Sequence, residues 1–164
     1  MKKIYALVLL TIALSASVAG CTVSQASDRD QYGNYLGEMS DGNAAMAQAR
    51  EQYDGAGAYF TRGSYDLAIA AMNAAYGRYG EAADAYGLMA SNASSQDQRA
   101  YAGALQSYAK NCMYAAASYT DAYTAYKQGD QSQGAACWKE AETFVSQANG
   151  YQDQAVRLQP MAIV

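Results

Sequence analysis

From residue 32 onward the chain sets apolar or small residues at alternating spacings of three and four. Positions 32, 35, 39, 42, 46, 49, 53, 56 and 60 hold Tyr, Tyr, Met, Gly, Met, Ala, Tyr, Ala and Phe. Positions 65, 68, 72, 75, 79, 82, 86 and 89 hold Tyr, Ala, Met, Ala, Tyr, Ala, Tyr and Met. A third stripe runs through 101, 105, 108, 112, 115, 119, 122 and 126, and a fourth through 137, 141, 144, 148, 151, 155 and 158. No charged residue stands on any of these seams, which follow the period of a helix with one buried face. Sustained alternation of period two is absent, so the pattern predicts helices and no sheet.

The interruptions carry helix stop and start signals. Arg62-Gly63-Ser64 joins the first two stripes, with Gly63 as a left-handed C-cap and Ser64 as an N-cap. Ser91-Asn92-Ala93-Ser94-Ser95 joins the second and third, and Gly129-Asp130 the third and fourth, with Asp130 or Ser132 as cap. Joints this short make neighbouring helices antiparallel. The expectation is an all-α fold over residues 31–159, an antiparallel up-down-up-down four-helix bundle of two long helical hairpins. At 1.5 Å per residue, helices near 30 residues would span roughly 45 Å.

The seams alternate large residues with Ala or Gly, the arrangement that lets helices interlock without voids. Tyr supplies the bulk where Leu is usual, so the rings should bury their bodies and keep their hydroxyls near the rim. Gly55-Ala56-Gly57 lacks the third glycine and preceding strand of a dinucleotide loop, and is read as a point of close helix packing. An offset of 66 aligns Ala49 with Ala115, Tyr53 with Tyr119, Phe60 with Tyr126 and Gly63 with Gly129, which fits either a duplicated hairpin or two similar Ala/Tyr heptad patterns.

The N-terminal segment has a different character. Lys2 and Lys3 precede 16 uncharged residues, Ile4 to Ala19, and Ser15 to Gly20 is rich in small residues. This is the layout of a secretory signal peptide, shorter than the roughly 20 apolar residues of a transmembrane helix. Val18-Ala19-Gly20-Cys21 resembles the lipobox of prokaryotic lipoproteins, with Val18 where Leu is usual. The resemblance covers residues 1–21 and implies that the Cys21 thiol receives a diacylglycerol and becomes the new N-terminus. Cleavage at another small residue, leaving a plain thiol, and an uncleaved anchor helix are the alternatives. On this reading residues 1–20 are a signal peptide and 21–30 the lipidated Cys and a polar tether. Residues 160–164 form an apolar tail after Pro160, packed on the bundle end or touching the adjacent bilayer. Tyr59 to Ala68, Tyr-Phe-Thr-Arg-Gly-Ser-Tyr-Asp-Leu-Ala, resembles the inter-helix turn of tetratricopeptide repeats, without their 34-residue period.

Composition narrows the chemistry. Without Lys2 and Lys3, nine basic residues face fifteen acidic ones, a net charge of −6. That argues against nucleic acid, whose phosphates need a basic patch, and against docking on anionic lipid. The chain has no histidine, which removes imidazole ligands and His-dependent bases. Glu38/Asp41, Glu51/Asp54 and Glu81/Asp84 are spaced i, i+3 but lie off the seams, on what should be solvated faces. No metal site, cofactor or catalytic residue is identified, and an enzyme is not expected. Cys112 and Cys137 stand 17 residues before and 8 after Gly129, so their levels in a hairpin differ by roughly 14 Å. A disulfide needs Cα atoms within about 7 Å, so free seam thiols are expected, with intermolecular pairing as the alternative.

Off-seam Tyr76, Tyr114 and Tyr123 are candidates for surface aromatic contacts, and Asn92-Ala93-Ser94 is a sequon that would place a glycan on Asn92. The sequence therefore suggests a non-enzymatic lipoprotein, exported and anchored to the outer face of a prokaryotic membrane. Its role would be an envelope scaffold or protein-interaction module, with a protein partner or self-association. A small-ligand-binding lipoprotein with a Tyr/Met-lined pocket between helices is the second reading. Cys21→Ser should move the protein from the membrane to the soluble fraction of its host; continued tight attachment would refute lipidation there.

Overall fold

The structure is a computed structural model that describes the side chains of residues 29–159. The side chains of residues 1–28, where the expected signal peptide and Cys21 fall, and of the tail at 160–164 lie outside those described. Four helices follow one another: α1 (Lys2–Thr61), α2 (Tyr65–Ser91), α3 (Gln96–Lys127) and α4 (Gln131–Ala162). Among the described residues there is no strand, and no helix is long and apolar enough to cross a membrane.

The helices end where the sequence supplies a stop, and the first and third stop in the same way. Gly63 has φ +74° and Gly129 φ +84°, the left-handed conformation that a Cβ would disfavour. At the first turn Gly63 N–H donates to the Phe60 carbonyl (2.9 Å) and Ser64 N–H to that of Tyr59 (2.9 Å). At the second, Gly129 N–H donates to Tyr126 (3.0 Å) and Asp130 N–H to Ala125 (2.9 Å). Both are Schellman closures that satisfy the last carbonyls of a helix. The starts differ. Ser64 occupies the N-cap position of α2 but makes no side-chain cap bond. Ser95 caps α3 by accepting from Gln98 N–H (3.1 Å), and the Gln98 side chain turns back to accept from Ser94 N–H and Oγ. Asp130 caps α4, accepting from Gln133 N–H (2.9 Å) and the Ser132 hydroxyl (2.9 Å).

Each helix packs closely on its neighbours in sequence, and small residues set how closely. A Cβ built on Gly42 would lie 2.5 Å from the Tyr86 ring, and one on Gly134 would lie 2.7 Å from the Tyr126 ring. Ala49, Ala56, Ala68, Ala75, Ala82, Ala102, Ala109, Ala116, Ala122 and Ala141 are fully buried. Tyr86 is buried against Gly42, with its hydroxyl donating to Asn43 Oδ1 (2.8 Å). The expectation for Gly55 and Gly57 needs correction. A Cβ on either would touch nothing within 4 Å, and Ala56 between them makes the packing contact.

The four seams are the core, except at Tyr32 and Tyr151, which are exposed. Helix α3 adds a second buried stripe through Gln98, Ala102, Ala109, Ala116 and Tyr123, because it packs on both α2 and α4. Tyr123, expected on the surface, is for this reason only 2% exposed. Helices α1 and α4 behave differently: no Cα of one comes within 8 Å of a Cα of the other among the described residues. Their side chains meet at one end, where the Phe60 and Trp138 rings lie 5.5 Å apart, and elsewhere a groove separates them.

Gly42→Ala should destabilise the fold by roughly 1–3 kcal/mol, since the buried, hydrogen-bonded Tyr86 ring cannot retreat. Gly55→Ala should instead stabilise it by up to about 1 kcal/mol through helix propensity alone. Thermal unfolding followed by circular dichroism separates the two. An unchanged melting point for Gly42→Ala would mean that the ring does not limit the approach of α1 to α2.

Candidate functional site

The groove between α1 and α4 is floored by α2 and α3 and contains two adjoining cavities. The larger, about 320 Å³, lies among Asn43, Met46 and Arg50 of α1, Tyr86 of α2, Tyr101, Leu105 and Tyr108 of α3, and Gln152, Ala155, Val156 and Gln159 of α4. The smaller, about 240 Å³, is bounded by Arg50, Tyr53 and Asp54, by Tyr79, by Tyr108, Cys112 and Ala115, and by Val145, Ala148 and Asn149. Arg50 and Tyr108 belong to both walls, and the Arg50 guanidinium donates through Nη2 to the Tyr108 hydroxyl at 2.7 Å. That bridge, from α1 to α3, divides the groove.

Burial governs the acid–base character of the lining. It pushes the Cys112 thiol up to about 11, opposed by the Tyr108 hydroxyl and the Arg50 charge. Burial likewise raises the phenols of Tyr53, Tyr79 and Tyr86. The Tyr108 phenol is also raised by burial, against the hydrogen bond from Arg50. Near neutral pH the groove thus presents neutral hydroxyls, a neutral thiol, amides, one guanidinium and one carboxylate. A thiol held protonated is a poor nucleophile.

The sequence candidates are scattered. Tyr76 and Tyr114 are 42% and 46% exposed, but no ring pair joins them among the described residues; Tyr114 packs on Phe144 instead (5.5 Å). Tyr123 belongs to a buried aromatic cluster, stacked on Phe60 at 4.6 Å and near Tyr119 and Trp138. Asn92 is half-buried at the end of α2, and the Ser94 hydroxyl of its sequon donates to Gln98 Oε1 (2.8 Å). Cys112 and Cys137 are free thiols, half-buried and buried. Of the paired acids, Glu38 is half-buried and the other five are exposed. No group of three His, Cys, Asp or Glu residues suited to a metal occurs among the described residues.

The sequence pattern does not single out Arg50. The available signal was slight: it is the only basic residue between Arg29 and Arg62, one position off the seam residue Ala49. No family model, curated protein or solved structure matches this chain.

The raised phenols and thiol imply a pH dependence with a definite sign. Burial favours the neutral forms, holding Tyr35 and Tyr123 up to about 12 and Cys112 up to about 11. Their stabilising contribution is complete below the ordinary values, 9.0 for the thiol and 10.0 for phenol, and is lost as pH rises through the folded values. Urea midpoints should therefore hold steady to near pH 9 and then fall toward pH 12. Constant midpoints across that alkaline range would contradict the burial of these groups.

Proposed function

We propose that this chain is a small-ligand-binding lipoprotein, anchored through Cys21, whose ligand lies in the groove between α1 and α4. The observation that carries the reading is the groove itself. A bundle acting only as a spacer has no need to leave two of its helices apart, whereas here the separation is lined by tyrosine, methionine and amide side chains. Cavities of about 320 and 240 Å³ whose walls combine aromatic and aliphatic surface with amide, hydroxyl and guanidinium groups suit a compact organic molecule. The scattered positions of Tyr76 and Tyr114 give less support to an aromatic docking patch, and so to the scaffold reading.

Topology bears on where the groove opens. On our reading the helices run antiparallel, up-down-up-down. Phe60 pairs with Tyr65 while Gly42 meets Tyr86, and Lys127 pairs with Asp66 while Gly87 meets Gln106. Tyr126 meets Gly134 while Tyr114 meets Phe144. The Phe60–Trp138 contact then closes the groove at the end remote from the lipid, and the larger cavity lies toward the membrane. A ligand entering or leaving would do so on the membrane-proximal side. Export to the outer face of a prokaryotic membrane follows from the lipobox resemblance and is part of the same proposal.

Native mass spectrometry on protein gently extracted from its host membrane tests these points together. The expected species begins at Cys21, carries a diacylglyceryl adduct and retains an additional noncovalent small-molecule mass. A lipidated chain without such a mass, alone or bound to a protein partner, would return the scaffold reading to first place.

A further inference from the structure

We propose that the groove recognises a small amphiphilic monoanion, a carboxylate joined to an apolar or aryl body, and that Arg50 is the residue that receives the acid. The inference rests on the groove being a ligand site and adds the chemical class of the ligand.

Arg50 is the only basic residue in the walls of either cavity. Its guanidinium donates to the Tyr108 hydroxyl, and no carboxylate lies within 4 Å of it among the described residues. A guanidinium has five N–H donors in a planar fork that matches a carboxylate, so most of its binding capacity remains unused. Tyr108 fixes its position by occupying one nitrogen, which orients the fork at the boundary between the cavities. Nine basic and fifteen acidic residues follow Gly20, so the chain as a whole does not attract anions, and an acidic ligand depends on Arg50.

The two cavities differ in charge, and that difference orients the ligand. Asp54 stands in the wall of the smaller cavity and would repel an anion there. The larger cavity has no carboxylate in its wall; it offers the amides of Asn43, Gln152 and Gln159. Met46, Leu105 and Val156 supply its apolar surface. The acid therefore sits at Arg50 on the side away from Asp54, with the apolar body extended over Leu105 and Val156 toward Gln159. The buried Tyr86 phenol stays neutral and does not compete as an anion.

The test uses the full chain in lipid nanodiscs, with empty nanodiscs as the blank. Isothermal titration calorimetry compares three probes with the same aryl-alkyl body: 4-phenylbutanoate, 4-phenylbutan-1-ol and 4-phenylbutylamine. The carboxylate should bind at least about tenfold more tightly than the alcohol, with the amine weakest, as expected when a charge-assisted fork is available to one probe only. Arg50→Gln should remove that preference, bringing carboxylate and alcohol to similar affinities, and Arg50→Lys should keep part of it. Thermal melts of both variants exclude loss of fold, since Arg50 is exposed at the rim. Equal binding of alcohol and carboxylate, or a carboxylate preference that survives Arg50→Gln, overturns acid recognition and leaves the groove as a neutral-ligand site. Preference for the amine overturns it in favour of Asp54 as the selecting group. Failure of all three probes to bind at millimolar concentration overturns the proposed ligand class. Whether the groove binds any ligand is then decided separately by the noncovalent mass on the native protein.

Discussion

Close approach of small residues to tyrosine rings governs this structure. Where Gly42 lies under Tyr86, or Gly134 under Tyr126, the absence of a side chain lets one helix backbone come up to the face of a ring on the next. The buried alanines extend the same relation along α1–α2, α2–α3 and α3–α4. Between α1 and α4 the facing residues are of another kind: Asn43, Met46 and Arg50 on one side, Gln152, Val156 and Gln159 on the other. These are longer and mostly polar, so no interlocking is available and the two helices stand apart. The groove is thus the place where the small-against-large rule lapses.

The use of tyrosine for core bulk has a second effect. A leucine core can be sealed without regard to hydrogen bonding, but each phenol must find an acceptor, a donor or water. Tyr86 uses Asn43 and Tyr108 uses Arg50, and no buried side-chain polar atom among the described residues is left without a partner. Both partners belong to α1 at the margin of the groove. The hydroxyls are in this way drawn toward the one side of the molecule where α1 and α4 do not meet, which makes the groove lining polar as well as aromatic.

Much of the fold was legible in the chain because the seams are charge-free over seven to nine positions each, and α2 shows it best: Ala68, Met72, Ala75, Tyr79, Ala82, Tyr86 and Met89 are all buried. The turns at Gly63 and Gly129 were equally plain, since only glycine takes that backbone conformation cheaply. The second face of α3 was not legible. Its stripe through Ala102, Ala109 and Ala116 consists of residues equally at home on an exposed helix surface, so Tyr123 was placed outside when it is inside. The groove was hidden for a different reason. A periodic pattern tells which face of a helix is buried but not which helix covers it, and the gap depends on a pair that fails to meet. Arg50 gained its significance only from that gap, as a charge flanking the seam that faces neutral side chains across it.

Because nearly every close backbone approach joins helices adjacent in sequence, the fold has few contacts that must be found across long stretches of chain. Two matching Schellman turns join α1 to α2 and α3 to α4, and packing within each pair can begin beside its own glycine before the other pair has formed. Low contact order of this kind goes with fast folding, on the scale of microseconds to milliseconds. Such a topology shortens the interval during folding in which the tyrosines of the four seams and their apolar neighbours stand exposed to one another and to other chains.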